Sequence, residues 1–172
     1  IVKFIQEESE KESMRLAETR GVFPAYKGSK WGKQGKKVRN ATMTSIAPTG
    51  TLSLIANTSS GIEPVFSLVY KYRGFYQDDG KEDHKQLLYV NEQFKEYARK
   101  HKFYSKELVE QIANNEGSIQ NIEDIPEHAR KIFVVTHDIE PSWHVKMQAA
   151  AQKYIDAAVS KTINLPQDAS VD

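Results

Sequence analysis

The 172-residue sequence contains no cysteine. Without thiols the chain can form neither a disulfide bond nor a thiolate metal site, and it has no cysteine nucleophile. Any reaction that requires a thiol therefore cannot be carried out by these residues alone.

Long apolar runs and a strong charge excess are also missing. No segment approaches the roughly 18 consecutive apolar residues that span a bilayer, and the first eight residues lack the basic start and apolar centre of a signal peptide. We therefore expect a cytoplasmic protein that does not enter a membrane. The net charge of +1 argues against a dedicated nucleic-acid binder.

The segment most suggestive of ligand binding is a hydroxyl-rich turn in the first third of the chain. Residues 43–46 can alternate between two faces and predict a strand, Pro48 ends it, and residues 54–56 read as the start of a helix. The turn between them consists of Thr49, Gly50, Thr51, Leu52 and Ser53. Its backbone N–H groups could converge on a phosphate at the positive end of the helix dipole. Taken alone, these residues favour an ordinary turn over a binding site.

A basic loop precedes this turn. Every charged residue from Arg20 to Arg39 is basic, and four glycines and Trp31 are interspersed among them. Such a loop could gather polyphosphate or, through Trp31 and Tyr26, contact nucleic acid. We favour a solvated connector whose lysines balance the acidic helix before it.

Most of the remaining sequence predicts helices. Residues 2–19 indicate an acidic amphipathic helix with an imperfect apolar side, ended by Gly21 and Pro24. Between residues 71 and 136, the pattern predicts a small helical subdomain after a polar turn at residues 78–83. The subdomain has three predicted helices: the first has apolar positions from Leu87 and Leu88 to residue 102, the second is capped by Ser105 and ends near Gly117, and the third starts at Pro126 and buries Ala129, Ile132 and Phe133.

The last part of the chain predicts one helix and one strand. Pro141 is expected to open the helix, and residues 162–165 to form a short buried strand. The apolar stripe expected to be buried on this helix comprises Trp143, Met147, Ala150, Ala151, Tyr154 and Ala158.

Several residues could carry chemistry but favour structural roles. His137, Asp138 and His144 do not have the spacing of a metal site, so we expect Asp138 to cap and the imidazoles to be hydrogen-bonded. Glu63 could be a general base, but we expect it to fix the turn at residues 61–64 by accepting backbone N–H groups. The three tyrosines near Arg73 are interpreted as packing residues: Tyr70, Tyr72 and Tyr76.

A set of motifs gives these features a context. The hydroxyl turn is followed by Ser-Ser-Gly-Ile-Glu-Pro at residues 59–64, and further blocks occupy residues 137–144, 147–150, 152–154 and 158–164. In this order and spacing the sequence resembles the catalytic subunit of ribonucleotide reductase, most closely the class II, adenosylcobalamin-dependent branch. The blocks extend over almost the whole chain, so the resemblance is specific.

The resemblance implies a fold and a site. The family fold is a ten-stranded α/β barrel made of two halves, and the order of motifs places this chain in the second half. The implied α/β architecture has three parts: a barrel segment with the phosphate-binding loop at residues 1–70, a mainly helical insertion at 71–136, and a barrel helix and strand at 137–172. The family's phosphate loop corresponds to Thr49, Gly50, Thr51, Leu52 and Ser53, and its Ser-Lys-Thr-Ile-Asn strand, which ends at Asn164, lies in the barrel wall.

The resemblance also implies a reaction. The complete enzyme would reduce ribonucleotides to 2′-deoxyribonucleotides with adenosylcobalamin as cofactor, as a homodimer. Its thiyl-radical and redox cysteines are absent here, so we expect an inactive fragment of a longer chain that contributes substrate binding, with the remainder of the reductase as partner. Two alternatives stay open: a nucleotide- or phosphate-binding module without turnover, or an assembly piece of a split reductase. Nucleic-acid binding is weakly supported.

Overall fold

The computed structural model describes residues 1–73, 86–165 and 169. The predicted polar turn at residues 78–83 and Tyr76 lie outside the described residues. Within the described part, no helix is long and apolar enough to cross a membrane.

Helix α1 (Val2–Arg20) confirms the first predicted helix, and Gly21 ends it with a φ of 73°. The expectation that this helix buries an apolar side is wrong for Phe4, Ile5 and Met14, whose side chains are 40–65% exposed. Polar contacts hold the helix instead. The Gln6 amide donates to Asp156 Oδ1 (2.9 Å) and accepts from the Thr44 hydroxyl (2.6 Å).

The basic connector is more ordered than a solvated loop. It contains the short helix α2 (Lys30–Lys33) and buries Trp31 with Phe23 and Val38 in a small core. The Trp31 indole N–H donates to the Ala41 carbonyl at 2.8 Å. Lys36 forms an ion pair with Glu10 of α1, so at this position the charge balance with the acidic helix is confirmed.

The prediction of two strands outside the helical subdomain, at residues 43–46 and 162–165, is largely wrong. Within the described residues, one isolated parallel bridge joins Ile46 to Val159. It is supported by hydrogen bonds from the Ile46 N–H to the Ala158 carbonyl and from the Ser160 N–H to the Ile46 carbonyl. Residues 162–165 form no strand. The Thr162 N–H does not join a ladder because the Glu63 carboxylate accepts it at 2.8 Å.

Helix α3 (Gly50–Ala56) follows the bridge, and then strands β1 (Val69–Arg73) and β2 (Gln86–Val90) pair antiparallel with Val69 opposite Val90. The prediction that Leu87 and Leu88 begin a helix is therefore wrong. Helix α4 (Glu92–Lys100) begins only after Asn91, whose side chain caps it by accepting the Phe94 N–H at 3.0 Å.

Helices α4, α5 (Lys106–Asn114) and α6 (Glu127–Ile132) surround the larger core. Ser105 caps α5 through the Leu108 N–H, and Ala129 is buried, both as predicted. Contrary to the prediction, Ile132 is 59% exposed. The residue that α6 buries in the core is Ala129. The largest fully buried side chains of this core are Leu68, Val69, Phe94, Ile112, Ile119, Ile125 and Val135.

Helix α7 (Pro141–Gln152) begins at Pro141 as predicted, but its buried side is not the expected stripe. His144 and Ala151 are buried, whereas Trp143 and Met147 are 60% and 54% exposed. Of the other stripe residues, Ala150, Tyr154 and Ala158 are also exposed. The described chain packs only against the His144 side of α7, where Gln148 donates to the Val159 carbonyl.

Candidate functional site

The hydroxyl turn forms the first turn of α3. Thr49 precedes the helix in the left-handed region, with φ 51° and ψ 29°. This conformation costs an L-residue about 1–2 kcal/mol, and the Thr49 hydroxyl oxygen offsets part of that cost by accepting the Gly61 N–H at 3.0 Å. Gly50 itself has no positive φ, and a Cβ there would meet nothing within 4 Å.

The start of α3 presents backbone donors to the surface. Helix geometry leaves the N–H groups of Gly50, Thr51 and Leu52 without an intrahelical acceptor. Thr51 and Leu52 are exposed, and Ser53 is half-buried. The Ser53 hydroxyl donates to the Gly50 carbonyl at 2.7 Å, so its hydrogen is already used. The turn can therefore offer an anion mainly backbone N–H groups.

The Ser-Ser-Gly-Ile-Glu-Pro turn lies beside this loop. Gly61 has a φ of 53°, and a Cβ there would be 3.2 Å from the Ala47 carbonyl oxygen, so glycine suits both the angle and the close approach. Glu63 does accept a backbone N–H, as expected. The donor is not in the turn but is Thr162, 99 residues along the chain.

The histidine cluster has the predicted structural role at Asp138 and His144, but the hydrogen bond expected at the His137 imidazole is not found among the described residues. The Asp138 carboxylate accepts the Val135 N–H (2.9 Å) and the Ser118 hydroxyl (2.7 Å), so it caps the short 3₁₀ turn Thr136–Asp138. His137 is exposed and lies edge-on to Phe66. Among the described residues, no group of three or more His, Cys, Asp and Glu side chains is arranged to hold a metal ion.

His144 has contacts that the sequence did not reveal. Its ring is 2% exposed, with Nε2 3.3 Å from the Thr136 carbonyl oxygen and Nδ1 2.7 Å from Lys161 Nζ. An ammonium group can only donate, so Nδ1 is the acceptor and Nε2 carries the hydrogen. The only sequence signal for Lys161 was its place in the Ser-Lys-Thr block.

A cleft of about 560 Å³ opens beside α3. Its lining includes Ser53 from the turn, Glu63 and Asn164, with Tyr70 and Tyr89 stacked at a centroid distance of 4.8 Å. Thr49, Gly50, Thr51 and Leu52 do not line it. The structure therefore brings one of the five predicted site residues, Ser53, into the lining of the cleft.

The family of this chain follows from its sequence profile. The profile of the ribonucleotide reductase barrel domain matches residues 1–172. The chain belongs to the ribonucleotide reductase barrel family.

Curated relatives agree with this membership. A vitamin B12-dependent ribonucleoside-diphosphate reductase of Thermoplasma acidophilum is 49% identical over 99% of this chain and 21% of the relative. The protein of the same description in Mycobacterium tuberculosis strain H37Rv is 42% identical over 100% of this chain and 23% of the relative. The chain thus spans about a fifth of the length of these relatives.

A solved structure is also similar. The alpha subunit of the class Id ribonucleotide reductase of Actinobacillus ureae aligns with a TM-score of 0.68 at 27% identity. The alignment covers 90% of this chain and 25% of that subunit.

Proposed function

We propose that this chain is the substrate-phosphate-binding part of a ribonucleotide reductase barrel. The observation that carries the proposal is the start of α3, where backbone N–H groups of Gly50, Thr51 and Leu52 lie at the surface beside the cleft. The positive end of the helix dipole attracts negative charge there. Together with Thr49 and Ser53, these residues would fix the phosphates of a ribonucleotide and thereby orient its ribose.

We further propose that the chain forms part of the second half of the family barrel. Residues 1–70 and 137–172 would belong to the barrel, since the Ile46–Val159 bridge and the Gln6–Asp156 contact join them. Residues 71–136 would be an insertion, and the location of most of the larger core within that range supports this division.

The complete enzyme, on this proposal, reduces ribonucleotides to 2′-deoxyribonucleotides with adenosylcobalamin, because the relatives at 42–49% identity carry vitamin B12 in their names. The thiols of the reaction would come from the remainder of the reductase chain, since this sequence has none. We also propose that the complete enzyme is a cytoplasmic homodimer.

Exposed apolar side chains on α3 and α7 support the remainder of the reductase chain as a partner. Leu52, Leu54 and Ile55 of α3 are 63–78% exposed, and Trp143 of α7 is 60% exposed. Burial of such side chains stabilises a contact by about 1.5–3 kcal/mol each. The rest of the barrel would cover them.

Substitution of Gly50 tests the phosphate site. In the complete reductase, Gly50→Val should weaken ribonucleotide binding strongly, because a branched side chain would cover the N–H groups of the first turn. Since there is open space around Gly50, the variant should fold. Thr51→Ala removes one hydroxyl but no backbone donor, so its loss should stay near the ~1 kcal/mol of a single hydrogen bond.

Ala56→Val is the control, because it places the same β-branched side chain at the other end of α3. Binding of the ribonucleotide would be measured directly by calorimetry as well as by turnover. Unchanged affinity in a correctly folded Gly50→Val enzyme would remove the phosphate role from this loop.

A further inference from the structure

A closed ring of hydrogen bonds joins three separate parts of the chain. The Thr136 N–H donates to the Val65 carbonyl (2.9 Å), and the Thr136 carbonyl faces His144 Nε2 (3.3 Å). Lys161 Nζ then contacts His144 Nδ1 (2.7 Å), and the next residue, Thr162, donates its N–H to Glu63 (2.8 Å). The ring closes next to the turn at residues 61–64, because Glu63 and Val65 are only two residues apart in the sequence.

His144 is a buried member of this hydrogen-bonded ring. The imidazole is 2% exposed and Thr136 is 3% exposed, so neither can move without disturbing buried neighbours. Both imidazole nitrogens of His144 form hydrogen bonds, one as donor and one as acceptor. The imidazole can therefore act as a fixed anchor for the Lys161 ammonium group.

Lys161 links His144 to the backbone of Thr162. Its ammonium group also donates to the Thr162 carbonyl at 3.0 Å, so two of its three hydrogens are donated to protein atoms. This arrangement fixes the Lys161–Thr162 backbone, and with it the N–H that Glu63 accepts. A surface lysine that served only solubility would extend into water.

The ring connects to the α3 turn through Gly61. The Gly61 N–H donates to the Thr49 hydroxyl oxygen at 3.0 Å, and Thr49 lies in the left-handed conformation that L-residues disfavour. A residue in such a conformation persists only when its surroundings hold it. The turn that carries Gly61 is itself held by the Glu63–Thr162 hydrogen bond.

We propose that His144 and Lys161 are positioning residues that hold the α3 turn in its anion-binding geometry. They act through Thr162, Glu63, Gly61 and Thr49 and do not touch the substrate. This inference rests on the proposed phosphate role of the α3 turn.

The test uses Lys161→Met in the complete reductase, which keeps the side-chain length and removes the ammonium group. Lys161 is half-buried, so the variant should fold. Lys153→Met, at an exposed position at the end of α7, is the control. Hydrogen exchange of peptides covering residues 59–63 and 159–164 reports the ring directly. Binding of a ribonucleotide, compared with the ribonucleoside that lacks phosphates, reports the turn.

We expect faster exchange in both peptides for Lys161→Met and about tenfold weaker ribonucleotide binding, with unchanged ribonucleoside binding. The Lys153→Met enzyme should match the wild type. Because the ring acts as one unit, adding Glu63→Leu to Lys161→Met should weaken binding no further than the larger single effect.

Unchanged exchange in Lys161→Met would overturn the ring, and additive effects of the two substitutions would overturn its action as a unit. Faster exchange with unchanged ribonucleotide affinity, in an enzyme whose Gly50→Val variant does lose affinity, would overturn the positioning role while the phosphate site stands. If Gly50→Val itself binds normally, the proposed function fails and this inference fails with it.

Discussion

An added methyl group at Gly117 should strongly destabilise the folded chain. It lies after α5 with a φ of 78°, its N–H donates to Ile112 and its carbonyl accepts the Leu68 N–H, both at 2.9 Å. A Cβ on Gly117 would be 1.6 Å from Ser67 Oγ and 2.9 Å from the Val69 carbonyl oxygen. The backbone is held on both sides, so Gly117→Ala cannot be accommodated by a small shift.

The expected loss of stability has three sources. The left-handed conformation costs alanine about 1–2 kcal/mol, and the lower entropy of unfolded alanine returns about 0.4–1 kcal/mol of this. Displacement of the buried Ser67 hydroxyl breaks its 2.8 Å hydrogen bond to the Val69 carbonyl, at about 1–3 kcal/mol. Overpacking of the strand adds about 1–3 kcal/mol. The total of about 3–7 kcal/mol is comparable with the whole stability of a small domain.

Urea unfolding of the 172-residue chain, followed by far-UV circular dichroism at low protein concentration, measures this loss as a lower midpoint or, where the loss exceeds the stability of the chain, as a helical signal already missing before urea is added. Gly35→Ala is the control, because Gly35 also has a positive φ of 69° but a Cβ there meets nothing within 4 Å. It should cost only about 1 kcal/mol. Adding Ser67→Gly to Gly117→Ala removes both Ser67 atoms from the clash and should restore part of the stability. Equal losses for Gly117→Ala and Gly35→Ala would refute the steric argument.

Two predictions concern the chain as a whole. The isolated chain should form no deoxyribonucleotide when supplied with adenosylcobalamin, a dithiol and all four ribonucleotides, because it lacks every thiol; product above background would contradict this. The chain should also be marginally stable or self-associate, since apolar side chains such as Leu54, Ile55 and Trp143 are 60–78% exposed. Sedimentation that shows a compact monomer, together with a cooperative melt at high temperature, would disprove it.

Features that depend on neighbouring residues could be predicted from the sequence. The end of α1 and the starts of α5 and α7 follow from Gly21, Ser105 and Pro141, which act within one helical turn. The family could also be predicted, because its motifs are short and keep their order along the chain. The profile match over residues 1–172 confirms that interpretation.

Burial was predicted less well. Leu87 and Leu88 fit a helical spacing, but they lie in β2 because the strand pairs with β1. Trp143 and Met147 form an apolar stripe that the described chain leaves exposed. A pattern of apolar residues shows which side of an element is suited to burial, and only the neighbouring elements decide whether it is buried.

The sequence by itself determined the family and the cap residues Gly21, Ser105 and Pro141, since each depends on a few adjacent side chains. Only the tertiary structure decided that Glu63 accepts a hydrogen bond from Thr162 and that His144 holds Lys161. It also decided that Thr49 takes the left-handed conformation. These features join residues 17–99 positions apart or depend on the local path of the chain, and such contacts form only when packing brings distant segments together.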